Sequence, residues 1–484
     1  MKSSEMRRFG KLRNIYPYII IAIASVLVFT KPLGNADELW NYNFAINVLN
    51  GNLPYKDFSI VQTPLSCYVS ALYMLVFGRS LLSFKVLTYI LFAVTSSLVF
   101  NLSKKTSGNT VVALCATAIS MSAHFLCYIY NYNYLTVLVI LIILEIEHKE
   151  KNTLGTNSLI GFLVGTTLLI KQNTGLILWL ANLFICYMKY FRTPKNKTPY
   201  ICRLLVSVLP FLFYVIYLLC VGCFQDFIEY AVYGITTFTH RHTLIDFCIE
   251  SSFFIPYLVL IIAMIVTIGI KMFKVKLSDF QLASISFSIA WTSIVFPLAD
   301  PSHVLAVLIP LAPTYLAFVK FDKLKRKEVW IALVVGVFTL QCMFAFSLPF
   351  DVGFYKSNLN NYEGVFIDKV AEEAIQDVNA YIRQKETEGY KVRIADASGV
   401  AYKIPLDNYE KNWDMLLVGN LGSNSVEDLL ESDRPTLYLL LKDEELYDMQ
   451  DHYELFDYVK TNYECVDEIR GFYVYESNEK NNKQ

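Results

Sequence analysis

Apolar runs of about 20 residues recur along the first 350 positions of this chain, and each has the length that an α-helix needs to cross a bilayer. Hydrophobic residues make up 55% of the 484 residues and charged residues only 18%. Soluble globular proteins do not carry such runs in series. The sequence therefore predicts a polytopic α-helical membrane protein, with membrane lipid and not nucleic acid among its partners.

Eleven of the runs are predicted to be transmembrane helices. They are residues 15–33, 80–101, 110–129, 133–147, 157–171, 174–190, 202–222, 252–271, 279–297, 303–319 and 329–348. Lys and Arg in short loops remain on the cytoplasmic side, so basic clusters report the sidedness of the spans. Such clusters occur at the N-terminus and at residues 104–105, 149–151, 189–203, 271–276 and 320–327.

A shorter run, from Pro64 to Phe77, decides the topology. If it is a re-entrant or interfacial helix, the N-terminus and all the basic clusters are cytoplasmic; a twelfth crossing would leave most clusters outside. We therefore predict a multi-pass cell-membrane protein with 11 spans. Its outer face then holds residues 34–62, 131–133, 171–174, 223–249, 297–303 and the C-terminal region.

The C-terminal region, residues 351–484, is predicted to be a separate extracytoplasmic domain. It has 28 acidic and 14 basic residues, whereas the transmembrane domain, residues 1–350, has 15 and 28. An amphipathic helix over residues 363–387, ending near Gly389, and several β-rich runs predict a small α/β fold. The predicted strands are residues 392–395, 415–418, 436–441 and 472–475, and Gly419 to Gly422 is interpreted as a turn.

Two adjacent carboxylates, Asp37 and Glu38, follow the first apolar run, and charge beside a membrane span needs a reason. The same loop contains four characteristic stretches: Asn35-Ala-Asp-Glu-Leu-Trp40, Asn47-Val-Leu-Asn-Gly-Asn-Leu-Pro-Tyr-Lys-Asp-Phe58, Thr63-Pro-Leu65 and Phe77-Gly-Arg-Ser-Leu-Leu82. In this order they resemble the first outer loop of the GT-C membrane glycosyltransferases, the superfamily of protein O-mannosyltransferases and the bacterial aminoarabinose transferase.

Further stretches of the transmembrane domain are similar to the same superfamily, and in particular to its bacterial RgtA/B/C/D-like group. They are Gly161-Phe-Leu-Val-Gly165, Lys171-Gln-Asn-Thr-Gly175, Phe296-Pro-Leu-Ala-Asp-Pro-Ser-His303 and Leu308-Ile-Pro310. The resemblance implies an inverting glycosyltransferase. Such an enzyme would move a sugar from a polyprenyl-phosphate donor to a cell-surface glycan, lipid or protein acceptor at the outer face of the membrane.

The resemblance also assigns roles within the first loop. Asp37 matches the acidic position of the family and would be the base that takes the proton of the acceptor hydroxyl; the alternative is an N-cap for a helix over residues 38–50. Glu38 would orient the acceptor, or it is a solvated interface residue. Trp40 and Tyr55 are candidates for stacking on a sugar.

A departing lipid phosphate needs positive charge and hydrogen-bond donors. Lys171 ends an apolar run at the predicted outer face beside Gln172, so both are predicted to bind the donor; a snorkelling lysine is the alternative. Arg241, within His240-Arg-His242, is a further phosphate ligand or a solvated charge.

Asp300 and His303 match the second family motif. The resemblance implies that they bind phosphate or sugar; alternatively, Asp300 only caps a helix that begins at Pro301 and His303 is an interfacial residue.

One stretch departs from the family pattern. Relatives of the aminoarabinose transferase often carry a second acidic residue where this chain reads Tyr130-Asn-Tyr-Asn-Tyr134. Asn131 and Asn133 can hydrogen-bond an acceptor but cannot act as a base. The chain has no DxD triad, and its ten scattered cysteines indicate neither a metal site nor a disulfide framework. We predict an enzyme without cofactor or metal, although a divalent cation stays open.

Two other functions remain possible on the sequence. A polytopic transporter or a flippase of lipid-linked glycans would carry essential charges at the membrane midplane on broken helices. A noncatalytic scaffold in a surface-polysaccharide complex would need the tail and not the outer loops. The apolar runs here are mostly uninterrupted, which favours the transferase.

Overall fold

A computed structural model describes residues 15–26, 36–126, 129–149, 151–192, 197–234, 243–296, 298–319, 355–356, 359, 362–367, 369–395, 425–442 and 450–478. Four predictions lie outside these residues: the span at 329–348, the candidate ligand Arg241, the strand at 415–418 and the turn at 419–422.

Helices make up most of the described chain before residue 320. In chain order they are α1 (Ile15–Ser25), α2 (Ala36–Leu49), α3 (Leu65–Phe77), α4 (Leu81–Ser107), α5 (Thr110–Leu126), α6 (Tyr132–His148), α7 (Leu154–Ile170), α8 (Gln172–Arg192), α9 (Thr198–Val221), α10 (Phe224–Phe227), α11 (Leu244–Glu250), α12 (Ile255–Met272), α13 (Asp279–Trp291), α14 (Pro301–Ala306) and α15 (Leu308–Phe318). A π-helix (Ile228–Tyr233) follows α10, and 3₁₀ turns precede α12 (Ser252–Phe254) and follow α13 (Thr292–Val295).

Each of the first ten predicted spans coincides, in its described part, with one of these helices or, for the tenth, with α14 and α15. Among the described residues, five helical segments are long and apolar enough to cross a membrane: α4, α8, α9, α12 with its 3₁₀ turn, and α14 with α15. Helix α3 has 13 residues and is therefore about 20 Å long, shorter than a bilayer core. Whether it crosses, and the total of 11 spans, remain predictions.

The chain divides into two compact units. The first unit comprises residues 1–31, 85–213 and 242–349, and the second comprises residues 32–84, 214–241 and 350–484. The second unit thus groups the tail with the predicted first outer loop. The domain boundary at residue 350, which rests on composition, remains a prediction.

The centre of the first unit is formed by α14 and α15, most of whose side chains are buried. Trp291, at the end of α13, is fully buried, and its Nε1 donates to the carbonyl oxygen of Ala306 over 2.9 Å. Helices α9 and α12 instead expose large apolar side chains, among them Leu205 and Val259. In a membrane protein such surfaces face lipid, because soluble proteins rarely expose many large apolar side chains on one helix.

Glycines allow three consecutive helices of the first unit to approach closely. A Cβ atom on Gly161 would lie 2.2 Å from the carbonyl oxygen of Arg203, so α7 packs directly on the backbone of α9. A Cβ on Gly175 would lie 2.5 Å from the carbonyl oxygen of Thr167, so the start of α8 packs on the end of α7. The Gly161 and Lys171 motifs therefore form one packing unit that sets the position of Lys171.

In the second unit, aromatic rings pack α2 against the loop that follows α2. Phe44 stacks on Phe58 with ring centroids 5.6 Å apart, and Trp40 contacts Phe44 at 5.4 Å. The hydroxyl of Tyr42 donates to the carbonyl oxygen of Arg79 over 2.8 Å. These contacts hold the helix that carries the Asp37-Glu38 pair.

The described tail contains both helices and strands, in line with the predicted α/β fold, and its larger sheet is mixed. Its strands are β1 (Tyr355–Lys356), β2 (Phe366–Ile367), β3 (Val392–Ala395), β4 (Leu437–Leu441), β5 (Tyr463–Ile469) and β6 (Phe472–Ser477), and its helices are α16 (Lys369–Thr387), α17 (Val426–Asp433) and α18 (Gln450–Asn462). The larger sheet has the order β3-β4-β6-β5, with β3 parallel to β4 and the other pairs antiparallel. Arg470 and Gly471, both with positive φ, form the β5–β6 turn.

Two features of the tail differ from the prediction. The predicted helix is too long at its start, because Phe366 and Ile367 pair with β1 and α16 begins only at Lys369. Strand β5 is missing from the prediction because five of its seven residues are exposed and three are acidic, so no apolar alternation marks it.

Candidate functional site

Four of the predicted site residues form one hydrogen-bonded chain in the first unit. The ammonium of Lys171 donates to Oδ1 of Asn133 over 2.7 Å. Nδ2 of Asn133 lies 3.3 Å from Nε2 of His303, and Nδ1 of His303 lies 2.6 Å from Oδ2 of Asp300. We call Lys171, Asn133, His303 and Asp300 the polar tetrad.

Helix ends position the members of the tetrad. Asn133 lies in the first turn of α6, and Lys171 is the single residue between α7 and α8. Asp300 caps α14, because its Oδ1 accepts from the backbone N–H of His303 over 2.9 Å. The cap that the sequence offered as an alternative is therefore present, but Asp300 uses its second oxygen for the imidazole.

The cation of the tetrad is held inside the protein. Lys171 is only 8% exposed, and its ammonium lies 5.1 Å from the centre of the Tyr132 ring, a cation–π contact. A snorkelling lysine would place its charge in solvent, so that alternative does not describe Lys171. The side chains of His303 and Asp300 are 16% and 37% exposed, so the tetrad becomes more accessible toward its acidic end.

The carboxyl group of Asp300 is held in its charged form. Burial raises its pKa, but the hydrogen bonds that it accepts from His303 and Ser302 outweigh burial and hold the pKa well below its usual range. The hydroxyl of Ser302 contributes through a 2.6 Å hydrogen bond to Oδ1. Asp300 is therefore the fixed negative end of the tetrad at neutral pH.

Asn131 and Gln172 flank the tetrad in the sequence, two positions before Asn133 and one after Lys171. Asn131 caps α6, because its side chain accepts from the backbone N–H of Tyr134 over 3.1 Å. Gln172 is the first residue of α8 and is half-buried. Substrate binding by these two residues remains a prediction.

The two adjacent carboxylates differ sharply in exposure. Asp37 is exposed in the first turn of α2, whereas Glu38 is fully buried. The interpretation of Glu38 as a solvated interface residue is therefore wrong. The N-cap interpretation of Asp37 is wrong as well, because α2 begins at Ala36 and Asp37 lies inside its first turn.

Tyr55, predicted to contact a sugar, is fully buried in the second unit. Its hydroxyl donates to the carbonyl oxygen of Gln62 over 2.7 Å, and its ring packs edge-on against Phe227 at 5.3 Å. Its backbone has a φ of 71°, a conformation that side chains other than glycine rarely adopt. These contacts give Tyr55 a structural role in the loop after α2.

Helix α2 and the loop that follows it contain buried polar atoms for which the sequence predicted no hydrogen-bonding role. Buried side-chain atoms without a hydrogen-bond partner, in the part of the chain that the structure describes, include Nε1 of Trp40, Nδ2 of Asn43, Oγ of Ser59 and both amide atoms of Gln62. A buried unpaired polar group costs about 1–3 kcal/mol, so their concentration in α2 and the loop after it is unusual for a purely structural segment. Water or the hydroxyls of a ligand would satisfy them.

A second polar cluster, in the first unit, was also missed by the sequence reasoning. Glu147 accepts from Lys189 over 2.7 Å and from Arg203, whose Nε donates to Asn182 over 2.6 Å. We call these four buried side chains the ionic brace, because they join the ends of α6, α8 and the start of α9. The available signal was Glu147 at the end of the apolar run 133–147, with Lys189 and Arg203 at the neighbouring ends of two later apolar runs.

The sequence of the chain matches no protein family model and no curated protein. Its structure is similar to that of ArnT from Cupriavidus metallidurans bound to undecaprenyl phosphate, with 11% identity, coverage of 95% of this chain and 97% of that chain, and a TM-score of 0.55. ArnT from the same organism in the apo state gives 12% identity, coverage of 96% and 98%, and a TM-score of 0.56. Along nearly its whole length, the chain therefore has the fold of the aminoarabinose transferase ArnT, a GT-C membrane glycosyltransferase, as the resemblance in its sequence predicted.

Proposed function

We propose that this protein is an inverting glycosyltransferase that moves a sugar from a polyprenyl-phosphate donor to a cell-surface acceptor at the outer face of the membrane. The observation that carries the proposal is the likeness to ArnT bound to undecaprenyl phosphate over 95% of the chain. A fold built for a lipid phosphate does not favour the alternative of a transporter or flippase.

Lys171 is our candidate for binding the donor phosphate. Its ammonium is held by a neutral amide and an aromatic ring, and no carboxylate in the described part of the chain contacts it directly, so its charge is available to an incoming anion. A lysine ammonium has three donors, and the bond to Asn133 uses one. Negative charge grows on the lipid phosphate as the glycosyl bond breaks, so a fixed cation there stabilises the transition state.

Asp37 is our candidate for the catalytic base. It is exposed, so an acceptor hydroxyl can reach it, and it lies in the first turn of α2, where the helix dipole favours a charged carboxylate. In inverting transfer, Asp37 would take the acceptor proton while the acceptor oxygen attacks the anomeric carbon and the lipid phosphate leaves. Glu38 is fully buried, and for it we keep the role of orienting the acceptor or the neighbours of Asp37.

The test is glycosyl transfer by purified, reconstituted protein given polyprenyl-phosphate sugars. Asp37→Asn should lower transfer at least 100-fold, because general base catalysis contributes about 10²–10⁴-fold. Asp57→Asn is the matched control: Asp57 lies in the same loop, and its carboxylate accepts from the backbone N–H of Leu53, a bond that Asn can also accept. Unchanged transfer by Asp37→Asn would overturn the assignment of Asp37 as the base. No transfer by the wild type with any donor would overturn the proposal that the protein is a glycosyltransferase.

Sidedness is part of the proposal, with a cytoplasmic N-terminus and the tail outside. Cys465, which is exposed in β5, gives a native probe for the tail. In a variant whose other nine cysteines are replaced by Ser, a membrane-impermeant maleimide should label intact cells at Cys465 and not in the matching Cys465→Ser control. In that Cys465→Ser background, Lys104→Cys should be labelled only after the membrane is permeabilised. Labelling of residue 104 in intact cells would reverse the topology.

Metal independence is also a proposal. Among the described residues, no group of three or more His, Cys, Asp or Glu side chains is arranged to hold a metal ion. Transfer should persist after exhaustive chelation with EDTA. Loss of transfer that Mg²⁺ or Mn²⁺ restores would show that a divalent cation takes part.

A further inference from the structure

We infer that Asn133 is a positioning residue that holds His303 as the neutral imidazole protonated at Nδ1, so that Lys171 is the cation offered to the donor phosphate. The role in phosphate binding rests on the function proposed above, whereas the state of His303 follows from the contacts of the tetrad alone.

The first step fixes the orientation of the Asn133 amide. An ammonium group only donates hydrogen bonds, so the atom of Asn133 that lies 2.7 Å from Lys171 Nζ must be the oxygen. The amide nitrogen then faces His303 Nε2 at 3.3 Å. The reverse orientation would place two donors, the ammonium and the NH₂ group, against each other.

The second step fixes the proton on His303. The NH₂ group of Asn133 only donates, so Nε2 of His303 must accept and carries no hydrogen. The remaining ring nitrogen, Nδ1, lies 2.6 Å from the Asp300 carboxylate, which only accepts, so Nδ1 carries the proton. All three contacts of the chain are satisfied by this one arrangement, with His303 uncharged.

The third step links the two basic residues. A proton on Nε2 of His303 would require the Asn133 amide to turn, and its NH₂ group would then face the Lys171 ammonium. The bond between Lys171 and Asn133 and a charged His303 therefore exclude each other. The groups that face His303 are Asp300 and Ser302 from its own turn, Asn133 from α6, and Lys171 beyond Asn133.

An amide is the side chain that meets these requirements, because it has an acceptor and a donor on one rigid group. An aspartate at this position would accept from both Lys171 and Nε2 of His303, which would charge the imidazole and pair the ammonium with a carboxylate. This explains the departure seen in the sequence, where Asn occupies a stretch in which related enzymes often carry an acidic residue.

The experiment is ¹⁵N NMR of the full-length protein, labelled at its 6 histidines and held in detergent at pH 7. A His303→Gln variant identifies the His303 signals. The wild type should show a protonated Nδ1 and a bare Nε2, and Asn133→Asp should show an imidazolium with both nitrogens protonated. A wild-type His303 that is protonated at Nε2, or at both nitrogens, would overturn the inference.

Asn131→Asp is the matched control. Residue 131 lies two positions away and caps α6, a role that Asp fills equally well, so the His303 signals should match those of the wild type. A shift to the imidazolium in this variant would mean that any added carboxylate charges His303, which would contradict a specific role of Asn133. If Asn133→Asp does not fold, the wild-type spectrum alone decides.

Binding of undecaprenyl phosphate separates this inference from the proposed function. Asn133→Asp should weaken binding at least 10-fold, because the new carboxylate neutralises Lys171, and Lys171→Met should weaken it by a similar factor. If the NMR result holds and Lys171→Met binds as the wild type does, the phosphate site is wrong and the state of His303 stands. If Lys171→Met weakens binding and His303 is an imidazolium, the phosphate site stands and the role of Asn133 fails.

Discussion

Each end of helix α6 belongs to a cluster that contains a lysine and a carboxylate, but the two clusters arrange these charges differently. Asn133 at one end belongs to the polar tetrad, and Glu147, 14 residues and about 21 Å further along, belongs to the ionic brace. Each cluster joins α6 to a lysine at one end of α8, Lys171 or Lys189. In the brace the lysine contacts the carboxylate directly, whereas in the tetrad an amide and an imidazole separate the lysine from Asp300.

This difference indicates when a buried lysine only stabilises the fold and when its charge can bind a ligand. The brace buries its carboxylate and both cations almost completely, with side chains no more than 6% exposed, so it has no charge to offer. The tetrad keeps its cation and its anion apart and opens toward Asp300. A directly paired buried charge fixes helices, whereas a charge held by neutral groups stays available for a ligand.

The largest effect is expected from breaking the brace. Glu147→Ala should lower the free energy of unfolding by about 3–5 kcal/mol, because it leaves Lys189 and Arg203 buried without their anion. Thermal unfolding in detergent measures the change. Glu145→Ala is the control, since Glu145 pairs with the partly exposed Lys105 and should cost less than about 1 kcal/mol. Equal losses in the two variants would mean that the brace is not special.

The second effect compares Lys171, directly before α8, with Lys189, near the end of α8. Lys171→Met should lower sugar transfer about 100-fold while leaving the unfolding temperature within a few degrees, because no carboxylate among the described residues forms a direct ion pair with Lys171. Lys189→Met should do the reverse and lower the unfolding temperature strongly, since it removes a buried partner of Glu147. Loss of stability in Lys171→Met without loss of transfer would erase the distinction between the two clusters.

A smaller effect should follow from disturbing the helix contact beside the brace. Gly161→Ala should cost about 1–3 kcal/mol of stability, because the new methyl group would meet the carbonyl oxygen of Arg203. Gly155→Ala, on the same helix, meets nothing within 4 Å and should leave stability unchanged or slightly higher. Equal unfolding temperatures for the two variants would show that α7 and α9 tolerate a wider separation.

The smallest effect concerns the acidic end of the tetrad. The pKa of Asp300 is lower in the folded protein than in the unfolded chain. The charge of Asp300 therefore stabilises the fold above about pH 4, which is roughly its pKa in the unfolded chain. This stabilisation is lost as the pH falls below that pKa. Asp300→Asn should therefore be less stable than the wild type at pH 7, and the gap should close in more acid buffer. A gap that is constant with pH would show that the charge of Asp300 contributes nothing.

The sequence predicted the helical framework well because bilayer-length apolar runs leave few other structures open. The first ten predicted spans coincide with helices in their described parts. Asn133, Lys171, Asp300 and His303, all predicted to lie on the outer face, form one hydrogen-bonded chain. The sequence was less informative in the tail, where strand β5 is polar and exposed and so carries no alternating pattern. The sequence did not predict the brace, because a charged residue at the end of an apolar run is as typical of a solvated loop as of a buried ion pair.

By itself, the sequence determined the membrane class of the protein, the resemblance to GT-C enzymes and the group of polar residues worth testing. These properties depend on composition, periodicity and motif order, which are local in the chain. Only the tertiary structure decided which of these residues act together. It buried Glu38 and exposed Asp37, and it joined Lys171 to His303 through Asn133. Burial and hydrogen-bond partners depend on helices distant in sequence, so a pattern read along the chain cannot supply them.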